Sequence, residues 1–235
     1  MADVLFILKV FIYRIVLFLP FFVLNRLDDI KTRDKHEIPL EDRYGIVAFT
    51  GLAGFGKTSS MTHELIKYRK KYGDDIYIVT NYPCSVADAM FTSYKQLCHN
   101  YNKTIIVGFD ELQNVFTQND FKDFPPDFLD KLTQVRKNKG MKLFYTTQDF
   151  REVTGSIRRL TDHVCECKTF MRRLTWYYSY RTDYYLAKLN SLSIDNKLKI
   201  PADKKELFIH TKKLHATFDS FAHLKQLSYR SNKYK

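Results

Sequence analysis

Gly51-Leu52-Ala53-Gly54-Phe55-Gly56-Lys57-Thr58 spells GxxxxGKT, and it follows directly on an apolar run, Gly45-Ile46-Val47-Ala48-Phe49-Thr50, that reads as a buried strand. Three glycines between a strand and a helix let successive backbone N–H groups turn inward on an anion. The first turn of the helix adds the positive end of its dipole. The chain is thereby committed to a strand–loop–helix unit that cradles phosphate. Gly51, Gly54 and Gly56 supply the backbone, Lys57 reaches the β- and γ-phosphates, and the Thr58 hydroxyl holds Mg2+, with Ser59 beside it at the helix start.

The pattern that follows is one of strands alternating with helices. Thr58 to Lys71 has helix-forming composition, ends in a basic cluster and stops at Gly73. Ile76 to Asn81 reads as a second strand, and Ser85 as the cap of a helix running to about Gln96. Thr104 to Asp110 is a third strand, rich in β-branched residues. Pro125-Pro126-Asp127 opens a helix to about Lys137, Met141 to Thr147 is a fourth strand, and Gly155 to Leu160 a short helix. This order predicts an α/β fold with a mostly parallel central sheet and right-handed crossovers. After Asp162 the pattern changes to two β-rich stretches, Val164–Thr169 and Arg172–Arg181, which predict an antiparallel edge hairpin.

In a parallel α/β sheet ligands sit at the carboxyl ends of strands. The third strand ends in Asp110-Glu111. An aspartate there binds Mg2+, and a glutamate beside it orients and deprotonates a water attacking the γ-phosphate. The fourth strand ends in Thr146-Thr147-Gln148, which places Gln148 to touch the γ-phosphate or that water. No NKxD guanine-reading motif follows, since Asn138-Lys139 runs into Gly140-Met141 and Asn196-Lys197 into Leu198-Lys199. Charge developing on a transferred phosphoryl group calls for an arginine, often supplied by a neighbouring subunit. Arg136, before the fourth strand, and Arg158-Arg159, after it, are the candidates.

Taken in order, these parts resemble the zonula occludens toxin (Zot)-like ATPases, assembly proteins of filamentous phages within the broader FtsK–HerA class of P-loop motors. The resemblance covers roughly Ile46 to Thr169: Gly51–Thr58, Thr80-Asn81, Asp110-Glu111, Arg136, and Thr147-Gln148 followed by Ile157-Arg158-Arg159-Leu160. Phe218-Asp219-Ser220 resembles a short YDT-like element of the same group. The likeness implies a P-loop NTPase fold, ATP and Mg2+, assembly into a homo-oligomeric ring, and ATP-driven movement of viral DNA during packaging or extrusion, alongside other virion or assembly proteins. Two features depart from the pattern. The apolar segment precedes the ATPase domain instead of following it, which leaves room for a packaging ATPase of a membrane-containing virion or a conjugative DNA-transfer ATPase. Ala53 and Phe55 replace a more usual proline and small residue at positions that contribute mainly backbone.

The net charge of +12 is unevenly placed, with 18 Lys/Arg against 8 Asp/Glu from Arg151 onward, so +10 of it lies in the last third. That third invites a polyanion, either phosphate backbone or anionic lipid. Aromatics interleave with the charges from Arg172 to Arg181, a pattern shared by a nucleic-acid-tracking surface and by a hairpin with two unlike faces. Cys84, Cys98, Cys165 and Cys167 form no CxxC pair and read as reduced core thiols.

Val4 to Leu24 is almost wholly aliphatic and aromatic, broken by Lys9, Tyr13, Arg14 and Pro20. At 1.5 Å per residue it supplies the roughly 20 residues a bilayer requires. Arg14 costs ~2.5–3.5 kcal/mol at mid-membrane, which neighbours worth ~0.3–0.6 kcal/mol each offset. A spanning anchor, a helix lying in the interface and a helix packed on a partner subunit all fit. If the segment spans, Arg26, Lys31, Arg33 and Lys35 after it, with only Asp3 before, keep the body cytoplasmic, at the host inner membrane or a virion membrane vertex. The expected organisation is a hydrophobic helix over 1–25, a linker over 26–42, the ATPase domain over 43–190 and a basic extension over 191–235. A small-molecule kinase and a non-catalytic, nucleotide-dependent assembly scaffold are the competing readings of the motifs.

Overall fold

The computed structural model of the chain describes residues 38–98, 102–112, 140–191 and 200–218, together with 16, 18, 20–24 and 27. Two units separate, Met1–Ile38 and Pro39–Lys235. In the first, the described residues Val16, Phe18, Pro20 to Leu24 and Leu27 are helical and exposed, with the Phe18 and Phe22 rings stacked at 5.6 Å. Among the described residues no helix is long and apolar enough to cross a membrane. Most of Val4–Leu24 lies outside them.

The second unit is built on one sheet. Its elements in chain order are α1 (Leu40–Arg43), β1 (Gly45–Thr50), α2 (Lys57–Tyr72), β2 (Ile76–Thr80), β3 (Ala89–Met90), α3 (Tyr94–Cys98), β4 (Thr104–Phe109), β5 (Met141–Thr147), α4 (Gly155–Leu160), β6 (His163–Phe170), β7 (Leu174–Arg181), α5 (Thr182–Ser191), β8 (Lys204–Ile209) and α6 (Lys212–Thr217). The strand order is β3-β2-β4-β5-β1-β6-β7-β8. All pairings from β3 to β6 are parallel, and β6-β7-β8 are antiparallel. The fold is therefore α/β with a mostly parallel central sheet and an antiparallel edge, as the alternation of elements predicts.

Burial explains the composition of the strands. Every residue of β4 is buried, because α2 covers one face of it and Phe91, Leu97, Phe150 and Ile157 pack into the cluster on the other, so a β-branched run is what that position requires. Alternation sorts the neighbours. Val107, Phe109, Leu143 and Tyr145 pack with Phe150, Ile157 and Tyr185, while Phe144 meets Phe49 at 6.2 Å and Tyr68 of α2 at 5.5 Å. Met61 and Leu65 of α2 are fully buried, each worth about 1.5–3 kcal/mol of transfer free energy.

Two stretches differ from the sequence reading. Ser85 caps no helix: its amide donates to the Thr217 carbonyl at 2.8 Å, and Cys84 bridges Phe218, so this segment is tied to the end of α6. The chain then forms β3, since Asp88 accepts from the Ile78 amide at 2.7 Å and pairs with Arg69, aligning Ala89-Met90 beside β2. Only Tyr94–Cys98 is helical. At the other edge, β8 pairs with β7 and brings one strand of the basic C-terminal stretch into the sheet. The expected helix from Pro125 to Lys137 lies outside the described residues.

Asp42 ties α1 to α2, accepting from Lys71 Nζ at 2.7 Å, from Tyr68 Oη at 3.0 Å and from Tyr72. Burial pushes this carboxyl up, but the three donors outweigh it and hold it below its ordinary value of 3.8. A carboxyl depressed in the native state stabilises above its unfolded pKa, and the gain is lost as pH falls through the native one. Asp42→Asn is thus expected to cost about 1–2 kcal/mol at neutral pH, with the difference from wild type closing below about pH 4. Urea unfolding at pH 7 and pH 3 measures both.

Candidate phosphate and metal site

β5 lies between β1 and β4, with Thr50 level with Thr147 and Phe109 level with Tyr145. The three strands run in the same direction, so the loop after β1, the acids after β4 and Gln148 after β5 emerge at one edge of the sheet. Gln148 stands in the middle. Its backbone carbonyl accepts from Thr50 Oγ1 at 3.2 Å and its side chain is exposed.

The loop takes its shape from left-handed backbone. Gly54 and Gly56 have φ of 79° and 77°, and Gly51 has φ of 149°. A Cβ on Gly56 would come within 2.5 Å of Thr169 Oγ1 and 2.8 Å of Thr175 Oγ1, so the β6–β7 hairpin buttresses the loop and leaves no room for a side chain. Lys57 opens α2, with Ser59 buried two residues on. The Lys57 ammonium donates to the Leu52 carbonyl at 3.2 Å. Burial pulls it below the usual lysine range, against the opposing pull of Asp110, Cys167 and Glu111. A cation desolvated this far gains strongly from an anion in the loop.

Thr58 Oγ1 donates to Asp110 Oδ1 at 2.8 Å. Thr146 Oγ1 donates to the same oxygen at 2.7 Å and accepts the Glu111 amide at 2.7 Å. Asn81, at the end of β2, takes both backbone groups of the aspartate: Asp110 N donates to Asn81 Oδ1 at 2.7 Å, and Asn81 Nδ2 donates to the Asp110 carbonyl at 2.9 Å. Residues from three strand ends and the first turn of α2 thus fix one carboxylate opposite one hydroxyl. Glu111 is exposed and holds a φ of 49°, unusual for a residue with a side chain and costing about 1–3 kcal/mol where the surroundings impose it.

The pair Thr58 and Asp110 offers hydroxyl and carboxylate oxygens, hard donors that suit Mg2+, which takes few protein ligands and keeps several waters. Among the described residues no cluster of three or more His, Cys, Asp or Glu side chains is set to hold a metal.

The structure brings together Gly51, Gly54, Gly56, Lys57, Thr58, Asp110, Glu111 and Gln148 at the one edge. It does not bring Arg158 to them: that guanidinium donates to the Arg151 carbonyl at 3.0 Å, on the connection between β5 and β6. Arg136 lies outside the described residues. Asn81 and Thr146 are positioning residues to which the sequence reading assigns no role: Asn81 enters it only as the end of the second strand and as part of the family resemblance, and Thr146 only as part of the strand end before Gln148. A cavity of about 380 Å³ opens elsewhere, toward the starts of β5 and β6 under α2, among Asp42, Lys71, Lys142 and His163.

No family model and no curated protein matches the chain in sequence. Among solved structures it is similar to the N-terminal domain of zonular occludens toxin from Neisseria meningitidis, with 16% identity and a TM-score of 0.45 over 75% of this chain and 99% of that one. The genome packaging NTPase B204 from Sulfolobus turreted icosahedral virus 2, in complex with ATP-gammaS, gives 12% identity and a TM-score of 0.45 over 72% and 98%. The KaiC-like protein PH0186 from Pyrococcus horikoshii OT3 gives 11% and 0.39 over 71% and 90%. The P-loop fold of this chain rests on its strand order and loop geometry, not on these scores.

Asn81→Ala removes both contacts to the backbone of Asp110 and leaves the Thr58 and Thr146 hydroxyls on its carboxylate. It is expected to weaken Mg2+ affinity, measured by metal titration in the presence of a nucleotide analogue, by about 10- to 100-fold.

Proposed function

We propose that this chain is a Mg2+-dependent ATPase that moves viral DNA during virus or phage assembly, working in a membrane-associated homo-oligomeric ring. The observation that carries the ATPase reading is the meeting of Thr58 Oγ1 and Asp110 Oδ1 at 2.8 Å in front of a left-handed glycine loop. With ATP in place, the loop amides and Lys57 grip the β- and γ-phosphates. Thr58 and Asp110 hold Mg2+, which neutralises charge on the phosphates. Glu111 takes a proton from the attacking water and Gln148 contacts the γ-phosphate. Arg136 or Arg158 acts across a subunit boundary.

The DNA role is supported by the order of motifs along the chain and by the +10 charge of its last third. Residues 4–24 supply the attachment to a host or virion membrane, with the ATPase domain on the cytoplasmic side.

Glu111→Gln keeps the shape of the site and removes the base. It is expected to leave ATPγS affinity unchanged and to lower kcat by about 10²–10⁴-fold, measured as phosphate release; a non-catalytic scaffold loses nothing by the same change. Turnover without any added acceptor separates an ATPase from a small-molecule kinase. Addition of single- or double-stranded DNA is expected to stimulate turnover, with a response that weakens steeply as salt rises. Stimulation by neither polymer would contradict DNA translocation.

A further inference from the structure

Strands β6, β7 and β8 have two unlike faces. Toward α2 they present Cys167, Thr169, Thr175, Tyr177 and Phe208, mostly buried. On the opposite face the register lines up three rows: Phe170, Leu174 and Ile209; then Lys168, Trp176 and Leu207; then Glu166, Tyr178 and Lys205. α5 covers only the far end of this face, through Tyr180, Tyr185 and Lys188. The hairpin end is left bare: Phe170, Leu207 and Ile209 are 55%, 59% and 67% exposed, while Trp176 and Tyr178 are half-buried.

Charge decides what fits there. Lys168, Arg172, Arg173 and Lys205 are all exposed around the rows. Among the described residues the one carboxylate on this face, Glu166, is already taken by Lys188 and by Lys168 at 3.4 Å. Lys205 Nζ stands 5.2 Å from the Tyr178 ring. The hairpin turn is closed by Arg173 N donating to the Phe170 carbonyl at 3.1 Å, with Met171 and Arg172 left-handed at φ of 49° and 55°. Left-handed positions of a hairpin loop usually take asparagine or glycine, so in this three-residue loop the arginine is carried against its backbone preference. A protein interface depletes charge at its centre, whereas aromatic rings set among exposed cations form a platform on which unstacked bases lie while the phosphates meet the lysines and arginines.

We propose that this face of β6–β8 binds single-stranded nucleic acid, with Trp176 and Tyr178 stacking on bases and Lys168, Arg172, Arg173 and Lys205 on the backbone. The proposal rests on the DNA-dependent reading for the nature of the polymer and adds where it sits. The same hairpin presses Thr169 and Thr175 against Gly56 on its other face, so the bound strand lies one sheet thickness from the phosphate loop.

Trp176 is the only tryptophan of the chain, so its emission reports on this face alone. The full chain is titrated with an end-labelled oligothymidylate, following label anisotropy and tryptophan emission together. Expected are quenching of Trp176 in step with binding, and a roughly 5- to 150-fold weaker affinity for Trp176→Ala, the range of one stacked base. Lys168→Ala/Lys205→Ala is expected to flatten the slope of log affinity against log salt by about 1.4, with unfolding midpoints recorded for both variants. Absence of binding, or binding with an unchanged Trp176 signal, overturns the proposal. So does a concentration-dependent shift of Trp176 emission with self-association and no response to the oligonucleotide, which assigns the face to a second copy of the chain. ATP turnover without oligonucleotide, measured on the same sample, shows separately whether the ATPase reading stands.

Discussion

A single carboxylate oxygen, Asp110 Oδ1, receives the hydroxyls of Thr58 and Thr146, and the working edge of the molecule is organised around it. Thr58 comes from the helix that the glycine loop launches, Asp110 from the end of β4, and Thr146 from β5 between them. The sheet must therefore be in register across three strands before these atoms can meet. Asn81 adds a fourth strand by holding both backbone groups of Asp110. Charge-assisted bonds of this kind are worth about 1.5–3 kcal/mol each, enough to keep one geometry while the neighbouring glutamate is held in an unfavourable backbone conformation.

That strain lies next to the constraint. Glu111 sits at φ 49° with its amide on Thr146 Oγ1, so the hydroxyl that fixes the aspartate also fixes the turn that exposes the glutamate. Burial disfavours the charge on Lys57, and the ammonium donates to the Leu52 carbonyl. In the proposed reaction a triphosphate in the loop would offer this ammonium an anion, and its metal would give Thr58 and Asp110 an ion to share in place of each other. Anion, metal and strained acid would thereby be coupled through contacts already made.

What was legible in the sequence was local. GxxxxGKT after an apolar strand fixes a loop whatever surrounds it, and β-branched runs such as Thr104–Phe109 announce strands buried on both faces. The acids and Gln148 could be placed because the ends of parallel strands share an edge. Asn81 and Thr146 could not, because their roles exist only in the pairing of β2 with β4 and β4 with β5, between residues 29 to 36 positions apart. Ser85 misled for a related reason: its capping chemistry is overridden by a backbone bond to Thr217 from the far end of the chain. β8 was hidden because Lys204-Lys205-Glu206-Leu207-Phe208-Ile209 is an edge strand whose exposed side resembles a solvated basic stretch. The run from Arg172 to Arg181 allowed two readings in sequence, and pairing with β6 and β8 shows that it does have two faces, one buried under α2 and one bare.

The most direct measurement is a crystal structure with Mn2+ and a non-hydrolysable ATP analogue, located by anomalous scattering from the metal. The expected result is a manganese peak between Thr58 Oγ1 and Asp110, with the triphosphate against the amides of Gly54 and Gly56 and the Lys57 ammonium moved off Leu52 onto it. A metal bound elsewhere, or a glycine loop without phosphate at saturating nucleotide, would contradict it.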